Sequence, residues 1–180
     1  MRWMVIATLA LALAGAGCST IEPMTAADLK NAVVLEQTTW DLGWSYSMSG
    51  MYIMGDGTVW SYEHKGAPWY QEKLKAGEMT ERDMLSKHKG ARQIGTVDPS
   101  LLLDMAQLIP TAEKGPITKA VPGSEGSGTL RAAYRLDRDR KVYTEIILEG
   151  TGDRTASNDS SAAETLLSYL QNVQQAVGYR

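Results

Sequence analysis

The chain has 180 residues, a formal net charge of −3 and 43% hydrophobic residues, with one cysteine and no phenylalanine. That length is enough to bury a hydrophobic core as one domain, and a lone cysteine excludes an internal disulfide. Without a basic excess the chain lacks the electrostatic footprint of a nucleic-acid binder, and no nucleic-acid partner is expected.

Met1-Arg2 supplies a positive charge, Trp3 to Ala14 is apolar apart from Thr8, and Gly15-Ala16-Gly17-Cys18 follows. A charged start, an apolar run and small residues at its end predict a secretory signal over residues 1–17. The run falls short of the roughly 20 apolar residues of a spanning helix. Ending in Ala16, Gly17 and Cys18, the segment resembles the lipobox of bacterial lipoproteins, although Gly15 stands where that pattern usually has Leu. The resemblance implies acyl chains, palmitate among them, on Cys18. Ser19 after the cysteine implies the outer membrane, with the body facing the periplasm. Ala14-Gly15-Ala16 also fits an ordinary A-x-A cleavage site, which would instead release a soluble periplasmic protein. With Cys18 as anchor, residues 18–25 form a tether that holds the body within roughly 25 Å of the bilayer.

The body is expected over residues 26–180 as a single domain. Thr25 is placed to cap a short helix over 26–31, and Val33 to Trp40 suits either a strand or a helix. Ser45 to Met54 and Thr58 to Tyr62 flank Gly55-Asp56-Gly57, a strong hairpin signal. Lys65 to Glu78, with Pro68 inside it, reads as a long loop. Thr80-Glu81-Arg82-Asp83 has the form of a capping box opening a short helix to Lys89. Asp98-Pro99-Ser100 starts a further helix, whose stripe of Leu101, Leu102, Met105, Leu108 and Ile109 is expected to stop at Pro110. The Gly/Ser/Pro-rich stretch 110–128 reads as a flexible connection.

A second hairpin is expected from Thr129–Leu136 and Lys141–Glu149, joined by Asp137-Arg138-Asp139-Arg140, whose mixed charges read as mutual neutralisation. Asn158, Asp159 or Ser160 then caps a helix to about Ala176, with Leu166, Leu167, Leu170, Val173 and Val177 on its buried face. The pattern predicts an α+β fold: an antiparallel sheet of two hairpin-plus-helix units, with the helices packed on one face.

Candidate chemistry is sparse. Trp40, Trp44, Tyr46, Tyr52, Trp60, Tyr62, Trp69 and Tyr70 concentrate the aromatics in one stretch. Trp60, Tyr62, Trp69 and Tyr70 are the candidates for contact with a partner. Met48, Met51 and Met54 have the Met-x-x-Met spacing of envelope copper proteins, but on a strand residues three apart face opposite ways. His64 and His88 have no Cys or His at zinc-ligand spacing and read as surface residues. Ser86-Lys87-His88-Lys89 matches Ser-x-x-Lys without the companion motifs of penicillin-binding enzymes. No catalytic residue, cofactor or metal is therefore assigned.

The expected function is a non-catalytic envelope lipoprotein that binds a protein or peptidoglycan-related partner, as small inhibitors and immunity proteins do. The alternatives are a small envelope hydrolase using Ser86 or His64, and a periplasmic copper-handling protein.

Overall fold

A computed structural model describes residues 23–41, 47–65, 73–74, 76–119, 126–152 and 155–179. Cys18, Trp44, Tyr46, Trp69 and Tyr70 lie outside the described residues. In chain order the elements are α1 (Ala26–Leu29), β1 (Val33–Asp41), β2 (Ser47–Met54), β3 (Thr58–Lys65), β4 (Met79–Thr80), α2 (Glu81–Lys87) and β5 (Arg92–Thr96). These are followed by α3 (Pro99–Ala106), α4 (Ile109–Glu113), β6 (Ile117–Lys119), β7 (Ser127–Asp137), β8 (Val142–Gly150), β9 (Ala156–Asn158) and α5 (Ser161–Ala176).

Among the described residues nine strands form one antiparallel sheet, in the order β5-β3-β2-β1-β7-β8-β9-β6, with β4 paired to β8. Both expected hairpins are present. In β2–β3 the Gly57 N–H donates to the Met54 carbonyl at 2.9 Å, and Gly57 takes φ +85°. This is a three-residue hairpin loop whose last position favours glycine because a Cβ would be strained there. In β7–β8, Asp137 Oδ1 accepts the N–H groups of Asp139 and Arg140 at 3.1 and 2.9 Å. Arg138 Nη2 instead reaches out to the Asp28 and Lys30 carbonyls at 2.5 and 2.7 Å. Asp137 and Arg138 of this turn thus have separate partners, rather than neutralising one another as expected.

β1 welds the two hairpins together, with Thr38 opposite Gly50 on β2 and Leu130 on β7. Alternation along the strands then gives the sheet two apolar faces. One presents Leu35, Met51, Ile53, Val59, Ala133 and Ile146, and is covered by Leu102 of α3, Ile109 of α4 and Leu166 and Leu170 of α5. The other carries Trp40, Met48, Tyr52, Tyr62, Tyr134 and Tyr143, and packs against Met79 and Met84.

Several expectations need correction. The helices do not all share one face: α3, α4 and α5 do, but α2 lies against the opposite one. Pro110 does not end the α3 stripe; α3 ends at Ala106 and Pro110 sits in the first turn of α4. A proline is tolerated there because the first N–H groups of a helix have no internal partner. Leu101, expected on the buried stripe, is 47% exposed. The stretch 110–128 is not a bare connection, since it contributes α4, β6 and the start of β7. β6 is held by pairing with β9, from Ile117 opposite Asn158 to Lys119 opposite Ala156.

The caps read from the sequence are in place at both short helices. Thr25 with Asp28 and Thr80 with Asp83 each form a reciprocal capping box. Ser160 caps α5, its hydroxyl accepting the Ala163 N–H at 3.2 Å. The body is already engaged at Met24, whose N–H and carbonyl are held by the Gln107 amide at 2.9 and 2.6 Å.

Gly50 sits mid-strand opposite Tyr62. A Cβ there would come within 2.6 Å of the Tyr62 ring and 2.5 Å of the Gln37 carbonyl oxygen. The glycine makes room for the ring to lie across the strand. Gly50→Ala is expected to destabilise the fold by about 1–3 kcal/mol through overpacking. A urea titration checks this: the midpoint should fall, and an unchanged midpoint would mean the ring has space elsewhere.

Candidate functional site

The chemistry-bearing residues converge on the face covered by α2. β1 places Glu36, Thr38 and Trp40 on that face, and β2 and β3 add Tyr52, Trp60 and Tyr62 beside them. On α2 the spacing of Met84, Lys87 and His88 turns all three towards the sheet, His88 closing the helix as its C-terminal cap residue. All three are buried: Met84 is 2% exposed, Lys87 2% and His88 7%. This overturns the expectation that His88 lies on the surface. Of its basic neighbours, Lys87 is buried beside it and Lys89 is exposed.

Glu36 is the hub. Its Oε2 accepts from Lys87 Nζ at 2.7 Å. Its Oε1 receives the Tyr62 hydroxyl at 2.6 Å, the Thr38 hydroxyl at 3.0 Å and His88 Nε2 at 3.0 Å. Lys87 Nζ also donates to Thr38 Oγ1 at 3.3 Å and stands 5.9 Å from the centre of the Tyr134 ring. One carboxylate and one ammonium therefore balance within a ring of neutral donors. Burial alone would raise the Glu36 carboxyl, but the Lys87 ammonium and the His88 contact together outweigh it and hold it well below its ordinary range. For His88 burial wins over the pull of Glu36, so the imidazole is neutral at pH 7 and donates Nε2–H to the carboxylate. Burial and the adjacent carboxylate both push the Tyr62 hydroxyl up, keeping it a donor.

A cleft of about 600 Å³ opens beside this cluster, with His88 in its wall. Tyr52 and Trp60 form its aromatic side, their rings 6.5 Å apart and within 9° of parallel. His88 stacks on Tyr52 at 3.9 Å. The Trp60 indole N–H donates to Thr58 Oγ1 at 2.8 Å, leaving its carbon surface to face the cleft. Met54, Met84 and Leu85 supply aliphatic lining, Leu85 being 73% exposed, while Asp56 and Glu81 bring carboxylates. An apolar concavity with a few fixed polar groups, next to a buried titratable cluster, is the physical signature of a binding site.

Of the sequence candidates, Trp60 reaches this cleft. Tyr62 is 3% exposed with its hydroxyl on Glu36, so it supports the site from beneath and offers no contact surface. Trp69 and Tyr70 lie outside the described residues. His64 is half-buried, its ring 6.0 Å from that of Tyr62, and Ser86 is exposed on α2. The three methionine sulfurs do not converge: Met51 joins the core under α3–α5, while Met48 and Met54 pack on the other face. Among the described residues no group of His, Cys, Asp and Glu is arranged to hold a metal ion.

Sequence reasoning missed Glu36, Lys87 and His88. One signal was present. Glu36 follows Val33-Val34-Leu35 and alternates with Thr38 and Trp40, the pattern of a strand carrying a charge into its buried side. Comparison with family models, curated proteins and solved structures gives no match.

Two outcomes follow for stability. Glu36→Gln strands the Lys87 ammonium, and Lys87→Met strands the carboxylate; each is expected to cost about 3–5 kcal/mol. The double variant should cost less than the two singles summed, because neither charge is left alone. Additive losses in urea unfolding would mean that the pair is not coupled. Acid should act in two stages. His88 binds its proton less readily in the fold than at its ordinary value of 6.5, so stability declines as pH drops below that value. Glu36 adds a contribution that is complete above its ordinary 4.5 and is lost as pH falls from there towards its folded value. His88→Gln should remove the upper stage, as read from unfolding midpoints across pH 5–7, and shrink the lower one, because His88 helps hold the Glu36 carboxyl down.

Proposed function

We propose that this chain is a non-catalytic, lipid-anchored protein of the cell envelope whose α+β body binds a protein or peptidoglycan-related partner, in the manner of small inhibitors and immunity proteins. Acyl chains on Cys18 tether it to the outer membrane, and the body faces the periplasm. The single observation that carries the binding role is the cleft beside α2, where Trp60 and the exposed Leu85 offer apolar surface over a rigid floor. A half-buried tryptophan in a cleft with fixed polar groups is the kind of side chain that binding hot spots favour. The buried ions below favour a binder over a catalyst. Both Glu36 oxygens are committed to protein donors, and the Lys87 ammonium is spent on Glu36 and Thr38.

The anchoring half rests on the segment ending in Cys18. Crosslinking in intact cells, followed by pulldown of the tagged protein, tests the binding half. Trp60→Ala should cut capture of the partner at least tenfold while the domain still melts cooperatively, as expected for a hot-spot side chain. Undiminished capture would remove the cleft from the proposal. Labelling with a palmitate analogue tests the anchor: Cys18→Ser should abolish the label and release the protein on osmotic shock. A wild-type chain that never takes up label would end the tethered reading.

A further inference from the structure

The cleft has a sign. Asp56 and Glu81 line it, and among the described residues neither lysine nor arginine does. His88 in its wall adds no charge at neutral pH, because burial keeps the imidazole unprotonated. Asp56 Oδ1 accepts the Thr58 N–H and hydroxyl at 2.9 and 2.6 Å. Those bonds aim the carboxylate, and among the described residues no basic side chain forms a salt bridge with it. Among the described residues Glu81 has Arg138 near it, whose Nη1 stands 4.0 Å away. The other terminal nitrogen of that guanidinium is spent on the carbonyls of Ala27, Asp28 and Lys30. Arg138 is thus held mainly by α1.

The same cleft holds groups suited to the stem of a long basic side chain. Trp60 turns carbon surface to the cleft, since its N–H is already bonded. A cation over an indole face is attracted by the ring's electron density, and the methylenes of Lys or Arg pack well on apolar walls. Met84 and the exposed Leu85 complete an aliphatic lip. The volume of about 600 Å³ holds a few side chains and no folded element.

We propose that the cleft takes a cationic, amphipathic segment of a partner protein. An Arg or Lys side chain lies along Trp60 and ends at Asp56 or Glu81, and a neighbouring apolar side chain seats against Met84 and Leu85. This rests on the binding role given to the same cleft above, and it adds the chemistry of what binds. Arginine is the better fit of the two bases, because its planar fork stacks on an indole and pairs with a carboxylate in two bonds at once.

The test has two arms on the full chain. In the first, acetyl-Leu-Arg-Leu-Leu-Arg-Leu-amide and its Gln and Glu counterparts are titrated, with Trp60→Phe as the fluorescence control. The Arg peptide should bind at least tenfold more tightly than the Gln peptide, and the Glu peptide most weakly. Asp56→Asn with Glu81→Gln should erase that ranking. Asn keeps the acceptor that bonds Thr58, and a thermal melt checks that the variant folds. In the second arm a photoreactive residue replaces Leu85 in intact cells, and the captured fragment is sequenced.

A fragment rich in Arg or Lys beside apolar residues, lost in the double variant, supports the proposal. A flat peptide ranking, or a captured fragment that is acidic, neutral or glycan, overturns it and leaves the binding role of the cleft standing. If position 85 captures nothing while the same photoreactive residue placed at exposed sites on the opposite face captures a partner, both fall.

Discussion

A carboxylate and an ammonium that meet in a dry layer fix more of this molecule than any apolar contact does. Glu36 and Lys87 are each almost wholly buried, and taking two such ions from water costs several kcal/mol apiece. Only close approach and a full set of bonds offset that cost, so the neighbours have little freedom. Lys87 reaches Glu36 only when α2 lies across β1 at one place, and the capping box at Thr80 and the β4 pairing with β8 bring it there. Tyr62 must lie flat across β2 to donate to the same carboxylate, which is why Gly50 stands opposite it. Well-packed apolar side chains could fill the same volume at equal or greater stability. What the ions add is position: they hold the wall of the cleft in one register.

The cleft therefore combines two layers of different character. Beneath, hydrogen bonds are satisfied among Glu36, Thr38, Tyr62, Lys87 and His88, and that layer resists rearrangement. Above, Trp60, Met54 and Leu85 offer soft apolar surface bounded by two carboxylates. His88 belongs to both, bonded downward to Glu36 and stacked on Tyr52 at the wall. A rigid lower layer under an adaptable rim lowers the entropy cost of binding, because little of the protein must be ordered when a partner arrives.

Much of the architecture was legible from local pattern. Both hairpins, the caps at Thr25, Thr80, Asp98 and Ser160, and the buried stripe of α5 follow from turn chemistry and periodicity, which act over a few residues. The elements that were not legible depend on distant partners. β5 is a strand because β3 offers it an edge, and β6 because β9 does; their own sequences carry little alternation. Pro110 read as a stop because the rule that ends one helix also starts another. The cluster was hidden for the same reason. A lysine and a histidine between other polar residues look solvated until a carboxylate far away in sequence is set against them.

The strand order carries a consequence for how the polypeptide is made. β1 has its neighbour β2 next to it in sequence, but its other neighbour, β7, begins only at Ser127. The helices that cover Leu35, Met51, Ile53 and Val59 arrive from residue 99 onward, the largest last. A body whose chain has emerged only as far as α4 displays an incompletely covered apolar sheet face and a bare strand edge, two features that drive misassembly. Emergence of the amino-terminal half before α5 is the moment of greatest vulnerability, and a holdase guarding it in the compartment where the body folds would protect yield.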